Sequence, residues 1–365
     1  APRLAPHSAP NPRRSAVGGA RCRSGPLHYN RRMSAVAAHR PDLHPATHRL
    51  CVAPMMGHTD RHFRYLVRRL TRRTLLYTEM IPAAALARGE PERLLAHHPD
   101  EHPLALQVGG GDPERLATCA RLAAEHGFVE VNLNCGCPSE RVAAGRFGAW
   151  LMRDPGRVAE CVAALRGALP VTVKCRLGVD ELDRYRDLAR FVAVVAAAGC
   201  RTFIVHARKA WLRGVSPRRN RALPPLRPQW VARLKRERPD LELVSNGGVT
   251  GLDEALARLG EVDGVMIGRA AYRDPYLLAE ADRRVFGEPG TAPGRAQVVA
   301  AMLGYLERES AAGTPPGAIT RHLMGLYAGQ PGARAWRRLL GEAAGRDKEA
   351  TAWLRAALAH LEGKR

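Results

Sequence analysis

The chain has 365 residues, 45 % of them hydrophobic, enough for a large core in one sizeable domain with a smaller companion. Its net charge of +22 points to a polyanionic partner, nucleic acid first, with a merely solvated Arg-rich surface as the alternative. No run approaches 18 apolar residues, which excludes a membrane-spanning helix, and the core-forming composition excludes wholesale disorder.

Residues 1–41 carry eight Arg and no Asp or Glu, among many Pro, Ser and Ala. Such a segment cannot bury enough apolar surface to fold, so residues 1–45 are expected to form a disordered extension. It is either an organelle transit peptide or sequence upstream of a true start at Met33. A cytoplasmic protein is expected in the second case, an organellar one in the first.

From His48 onward, short apolar runs alternate with amphipathic ones. Strands are predicted at 48–55, 75–80, 102–110, 128–134, 170–178, 201–208, 241–249 and 262–269. Helices are predicted at 59–70, 113–127 and 155–169, in ELDRYRDLARFVAVVAAAG, in QWVARLKRER, in GLDEALARL, and in a last stretch ending near Gly287. The strands are rich in Val, Ile and Leu, as expected when both faces are covered. Eight βα units in series predict an α/β fold, a (β/α)8 TIM barrel over residues 46–290. A doubly wound sheet is the alternative, weakened by the absence of an early GxGxxG. Beyond about Pro293 only helical periodicity remains, in QVVAAMLGYLERE, AITRHLMGLYAG and ARAWRRLLGEAAG, so residues 291–365 are expected to form a small helical domain. The Arg stripe at 61, 64, 68 and 72 has helical spacing and is expected to be a solvated face.

Barrel chemistry sits where strands end. There the sequence gathers Pro54, Met55 and Met56, then Glu79, Gln107, Asn132, Asn134 and Cys137, and Lys174 with Arg176. His206 with Arg208, Asn246-Gly247-Gly248, and Gly268-Arg269 follow. Glycines after the seventh and eighth strands suit a phosphate, and Lys174 and His206 in the same ring suggest an anionic cofactor such as reduced flavin.

The eight cysteines show no CxxC and no disulfide framework, which suits a reducing compartment. Cys135 and Cys137 lack a second Cys/His group at metal-ligand spacing, so no metal is expected. Cys135 is read as core. Cys137 lies past the strand end, in a loop over the barrel mouth, where a thiol can be a nucleophile or a proton donor.

The segments VAPMMGHTDRHFRYL, LLYTEM, ALQVGG, EVNLNCGCPSERV, PVTVKCRLG, IVHARKAWLRGVSP, SNGGV, DGVMIGRAAYRDP and ITRHLMGLYAGQPGARAWRR follow one another in chain order. Over residues 48–345 they resemble the tRNA-dihydrouridine synthases, and HARKAWLRGVSP and PGARAWRR resemble the DusA-type subfamily. The resemblance implies an FMN-bound barrel, NADPH as reductant, and a C-terminal helical domain that grips tRNA; a monomer is expected. Hydride from reduced FMN would add to C6 of a D-loop uracil, at positions 20 and 20a, and Cys137 would protonate C5. The resemblance further implies that Pro54, Met55, Met56, Gln107, Lys174 and His206 contact the flavin. Asn246, Gly247, Gly248, Gly268 and Arg269 would hold its phosphate. Asn134, Arg218, Arg221, Arg334 and Arg337 would contact tRNA. Between Arg208 and Arg238 eleven Lys or Arg face one acid, Glu237, in keeping with an RNA-binding surface. Two departures stand out: Gly57-His58 replaces a usual Asp-Trp, and Cys135 replaces a usually small apolar residue and could form a disulfide or compete as the acid.

Overall fold

A computed structural model describes residues 47–167, 169–344 and 350–362. The expected 1–45 extension lies outside the described residues.

Nine strand segments form the sheet: β1 Leu50–Val52, β2 Leu76–Tyr77, β3 Ile81–Pro82, β4 Leu104–Gly109, β5 Glu130–Cys135, β6 Val171–Arg176, β7 Thr202–His206, β8 Glu242–Asn246 and β9 Gly264–Ile267. All pair in parallel, in the order β1-β9-β8-β7-β6-β5-β4-β2, with β3 also on β4. The second stave, expected as one strand over 75–80, is broken into β2 and β3. Val52 N–H donates to Leu75 O (2.9 Å) and Leu75 N–H to Leu50 O (3.1 Å), which closes the ring. The fold is therefore the eight-staved α/β barrel, and ring closure excludes the doubly wound sheet.

The period of two along each strand sorts residues between two environments. Val131, Leu133, Cys135, Val173, Cys175, Phe203, Val205 and Leu243 join the main core, under the helices Pro113–Glu125, Pro155–Leu165, Tyr185–Ala197 and Pro228–Glu237. A separate cluster inside the barrel contains Cys51, Leu75, Tyr77, Ala105, Ile204, Val244 and Met266. The alternate positions of β5 to β8 are polar: Glu130, Asn132 and Asn134; Thr172, Lys174 and Arg176; Thr202 and His206; Glu242 and Asn246. The barrel interior is thus half apolar packing and half hydrogen-bonded side chains.

After the barrel come the helices Arg295–Ala311, Pro316–Leu323, Ala333–Ala344 and Ala350–Glu362; the sequence pattern does not single out the last. Met302, Leu306, Trp336, Leu340 and Leu354 share one continuous apolar core with the barrel. Tyr305 stacks on Tyr65 at 4.0 Å, and Arg321 and His322 both reach Asp60, the N-cap of the helix Arg61–Arg68.

That helix corrects the expectation of a solvated Arg stripe. Arg64 and Arg68 are only 5 % and 6 % exposed. Arg64 Nε lies 2.6 Å from the carboxylate of Glu101, itself fully buried. Arg68 donates to the carbonyls of Thr71, Thr74, Glu101 and Pro103. Burial pulls its guanidinium down to about 9. Arg61 pairs with Glu309, and of the four only Arg72 is solvated. A buried carboxylate and a set of loop carbonyls need donors, and the stripe supplies them.

Candidate active site

Register brings the polar strand ends together. Asn134 lies beside Lys174, and Arg176, His206 and Asn246 sit side by side on β6, β7 and β8. Lys174 Nζ donates to Asn246 Oδ1 (3.1 Å), and Asn246 Nδ2 donates to the carbonyl of Met266 (2.8 Å). Burial, reinforced by Arg176, pulls the Lys174 ammonium down to about 8. Burial and then Arg176, Lys174, Arg208 and Arg269 hold His206 well below the ordinary imidazole range, so it is neutral. Its Nδ1 is buried without a hydrogen-bond partner, as is Nε of Arg221.

Among the described residues, none of Lys174, Arg176, Arg208, Arg221 and Arg269 has a carboxylate partner. Arg176 donates instead to the carbonyls of Gly136, Lys209 and Asn220, Arg208 to that of Pro224, and Arg269 to that of Arg221. Cations gathered without counter-charge, around an orphaned imidazole nitrogen, make a site suited to an anion.

The backbone is open at the same rim. Gly247 and Gly248 follow β8 with φ of +101° and +81°. A Cβ on Gly247 would lie 3.1 Å from His206 Nε2, and one on Gly248 2.5 Å from Leu226 Cδ2. Arg258 donates to the carbonyl of Gly247 (2.7 Å), which holds this turn from behind. Gly268 follows β9, next to Ala53 and Met55, and Arg269 is exposed beside it. In the loop after β1, Pro54 and Met55 are half-buried and Met56 is 61 % exposed. The Gly57-His58 departure has its own contacts: Gly57 N–H donates to Glu79, and the His58 ring stacks on Tyr272 at 4.2 Å.

Cys137 stands over this rim, half-exposed, its Sγ 3.5 Å from Ser139 Oγ. Asn134 Oδ1 accepts from the N–H groups of Gly136 (3.0 Å) and Cys137 (2.9 Å), while Asn134 Nδ2 donates to Gln107 Oε1 (2.8 Å). The Cys137 carbonyl accepts from Ala149 N–H (2.9 Å), closing the loop at its far end. Lys174, Arg176 and Arg221 all lie within electrostatic reach of the thiol. Cys135, by contrast, takes the outward parity of β5, is fully buried and free, and burial pushes its thiol far up. It faces the helices, not the mouth.

Two clefts, of ≈ 770 and ≈ 790 Å³, flank the Cys137 loop, and Arg146 and Trp150 line both. Arg218 is exposed, whereas Arg221 is half-buried and turned to the mouth near Arg269. Both hang on Asn220, whose buried amide binds Trp211 N–H, Trp211 O and Val215 O. Arg334 and Arg337 are exposed on the helix Ala333–Ala344, on the side away from the buried Trp336 and Leu340. Arg176 and Arg208, gathered at the strand ends by the sequence but given no role there, join the rim. Two contributors, Asn220 and Arg258, are missed by the sequence, and no signal in it singles them out.

An eight-staved parallel barrel with unpaired cations and side-chain-free backbone at its mouth, under a loop bearing an accessible thiol, is the frame of an enzyme that holds an anionic group at the barrel mouth. Comparison with known proteins gives the family. The family described as dihydrouridine synthase (Dus) matches residues 51–362. The chain is 52 % identical over 295 residues to a tRNA-dihydrouridine(20/20a) synthase of Synechocystis sp., covering 80 % of this chain and 88 % of that one. It is 53 % identical over 307 residues to the enzyme of that name from Xanthomonas axonopodis pv. citri, covering 84 % and 91 %. To that of Escherichia coli K12 it is 52 % identical over 297 residues, covering 80 % and 86 %. Among solved structures it is similar to a morphinone reductase in complex with tetrahydroNAD, with a TM-score of 0.45, 15 % identity, and 68 % and 90 % of the two chains covered. The chain belongs to the dihydrouridine synthase family.

Proposed function

We propose that this oxidoreductase reduces uridines of tRNA to dihydrouridine, acting in the D-loop at positions 20 and 20a, with FMN as cofactor and NADPH as reductant. The observation that carries the reading is the placement of Cys137: a half-exposed thiol, pinned through its own N–H by Asn134, above a rim of cations without counter-charge.

Lys174, His206 and the Gly247-Gly248 turn fit a flavin that carries a phosphate, since an orphaned Nδ1 and a backbone without Cβ atoms are ready for it. Gln107, Pro54, Met55 and Met56 would line the ring, and Asn246, Gly268 and Arg269 would complete the phosphate end. When bound, the flavin supplies the hydride that adds to C6 of the uracil. Cys137 then delivers its thiol proton to C5, saturating the double bond, and recovers a proton from solvent. The neighbouring cations Lys174, Arg176 and Arg221 stabilise negative charge developing on the uracil oxygen. A uridine must leave the stack to reach this depth. The exposed Arg218, Arg334 and Arg337, with the half-buried Arg221, favour an RNA over a free pyrimidine, which needs no such surface. Among the described residues no helix is long and apolar enough to cross a membrane, and a monomer acting on cytoplasmic tRNA is the setting we infer.

The test is to incubate the FMN-loaded protein with NADPH and an unmodified tRNA transcript and map dihydrouridine by mass spectrometry, with Cys137→Ala as control. Dihydrouridine at D-loop positions, lost in the control, is the expected result. Absence of product despite bound flavin and tight tRNA binding, with pre-modified tRNA also tried, would sink the synthase reading.

A further inference from the structure

A single file of hydrogen bonds runs through the barrel interior, from its floor to the Cys137 loop. Thr172 Oγ1 donates to Glu130 Oε1 (2.5 Å), and Asn132 Nδ2 donates to Thr172 Oγ1 (2.7 Å). Gln107 Nε2 donates to Asn132 Oδ1 (2.7 Å), and Asn134 Nδ2 donates to Gln107 Oε1 (2.8 Å). The backbone N–H groups of Gly136 and Cys137 end the file on Asn134 Oδ1. All five side chains are buried.

Both ends fix its direction. At the floor, Glu130 also receives His48 Nε2 (2.6 Å) and Tyr77 OH (3.1 Å), so the carboxylate accepts from every neighbour. At the top, backbone N–H groups can only donate. Turning any one of the three amides over would set donor against donor and acceptor against acceptor at its two contacts. Gln107 and Asn134 therefore spend their carbonyl oxygens inside the file and each keeps one side-chain N–H in hand.

We propose that Glu130, Thr172 and Asn132 are positioning residues: they set the amide direction of Gln107 and Asn134, so that the mouth offers N–H donors to a bound ligand's acceptors and the Cys137 loop is pinned at its first turn. The ligand clause rests on the flavin reading above; the loop clause does not.

Thr172→Val keeps the shape and removes the hydroxyl, leaving Asn132 Nδ2 without an acceptor and free to turn toward Gln107. Thr172→Ser keeps the hydroxyl. Two quantities are measured on the full chain: the rate at which iodoacetamide alkylates Cys137 in flavin-free protein, followed by peptide mass spectrometry, and the Kd for FMN. The valine variant is expected to shift the alkylation rate at least about threefold and to raise the Kd about fivefold, roughly the worth of one buried neutral hydrogen bond. The serine variant is expected to match wild type in both. Valine and serine variants that behave alike overturn the proposal, as does a valine variant whose only change is a lower melting temperature. Should wild-type protein not bind FMN, the flavin reading fails and the alkylation rates alone decide the loop clause.

Discussion

The imidazole of His206 occupies the space a side chain on Gly247 would need: a Cβ there would lie 3.1 Å from His206 Nε2. The φ of +101° at Gly247 independently disfavours any other residue. Gly247→Ala must therefore either displace His206 or strain the turn after β8. Because His206 Nδ1 and this turn are the parts that fit the cofactor, FMN affinity is expected to fall by about tenfold or more, by the energy of backbone strain of this kind. A titration giving wild-type affinity would remove this pair from the cofactor site.

Cys137 and Cys135 are two residues apart and face different worlds. Cys137→Ala should leave FMN binding intact and slow dihydrouridine formation by roughly 10²-fold or more, the usual worth of a positioned acid. Cys135 is fully buried against the outer helices. Cys135→Ala should leave turnover per folded molecule unchanged and cost about 1 kcal/mol of stability from reduced packing. Equal losses of turnover in both variants would put the acid role elsewhere.

The buried pair under the first barrel helix supplies a third expectation. Arg64→Ala leaves the Glu101 carboxylate without its 2.6 Å partner in a dry site, which should cost about 3–5 kcal/mol. Arg72→Ala, on a solvated side chain four residues past the end of that helix, should change stability by less than about 0.5 kcal/mol. Urea melts of the two variants separate these readings, and similar small effects would mean that Arg64 is not needed where it lies.

The same helix shows how far the sequence can be read. Strand positions are legible because short runs rich in Val, Ile and Leu recur between amphipathic stretches, and the rim residues because polar side chains gather at the ends of those runs. The spacing of Arg61, Arg64 and Arg68 correctly implies one helix face, whereas Arg72 lies past the end of the helix Arg61–Arg68. It cannot say that this face meets Glu101 rather than water, because that partner arrives from a distant loop. EVNLN in β5 hides the hydrogen-bond file for a related reason. Alternation of polar and apolar residues ordinarily means one wet face, whereas here the polar face is enclosed by the other staves. The roles of Asn220 and Arg258 depend on loop conformations that leave no periodic trace.

Arg334 and Arg337 are exposed and placed three apart on one helix, far in sequence from the barrel rim. If they touch phosphates, Arg334→Ala with Arg337→Ala should weaken tRNA binding and lower the dependence of log affinity on log salt by about 0.7–0.9 for each phosphate no longer neutralised. FMN affinity should be unchanged. An unaltered salt slope would show that this helix does not meet the RNA.

The barrel floor makes stability depend on pH. His48 lies between Glu130 (2.6 Å) and Glu242 (2.9 Å). Burial opposes its charge, but the two carboxylates outweigh it and hold the imidazole up at about 10. The folded protein thus keeps a proton that the unfolded chain loses near 6.5, so His48 contributes its full stabilisation below about 6.5 and loses it as pH rises through 10. Lys174, pulled down to about 8, has the opposite sign between 8 and its unfolded value. Comparing wild type with His48→Gln cancels that second contribution, since Lys174 is present in both. The variant should be less stable at pH 7, because Glu130 stays buried without its cation. Its deficit should shrink steadily toward pH 10, where about half of the wild-type imidazole is neutral too. Denaturant melts at pH 7, 8.5 and 10 measure this directly, and a deficit constant across the range would mean that His48 carries no charge on the barrel floor.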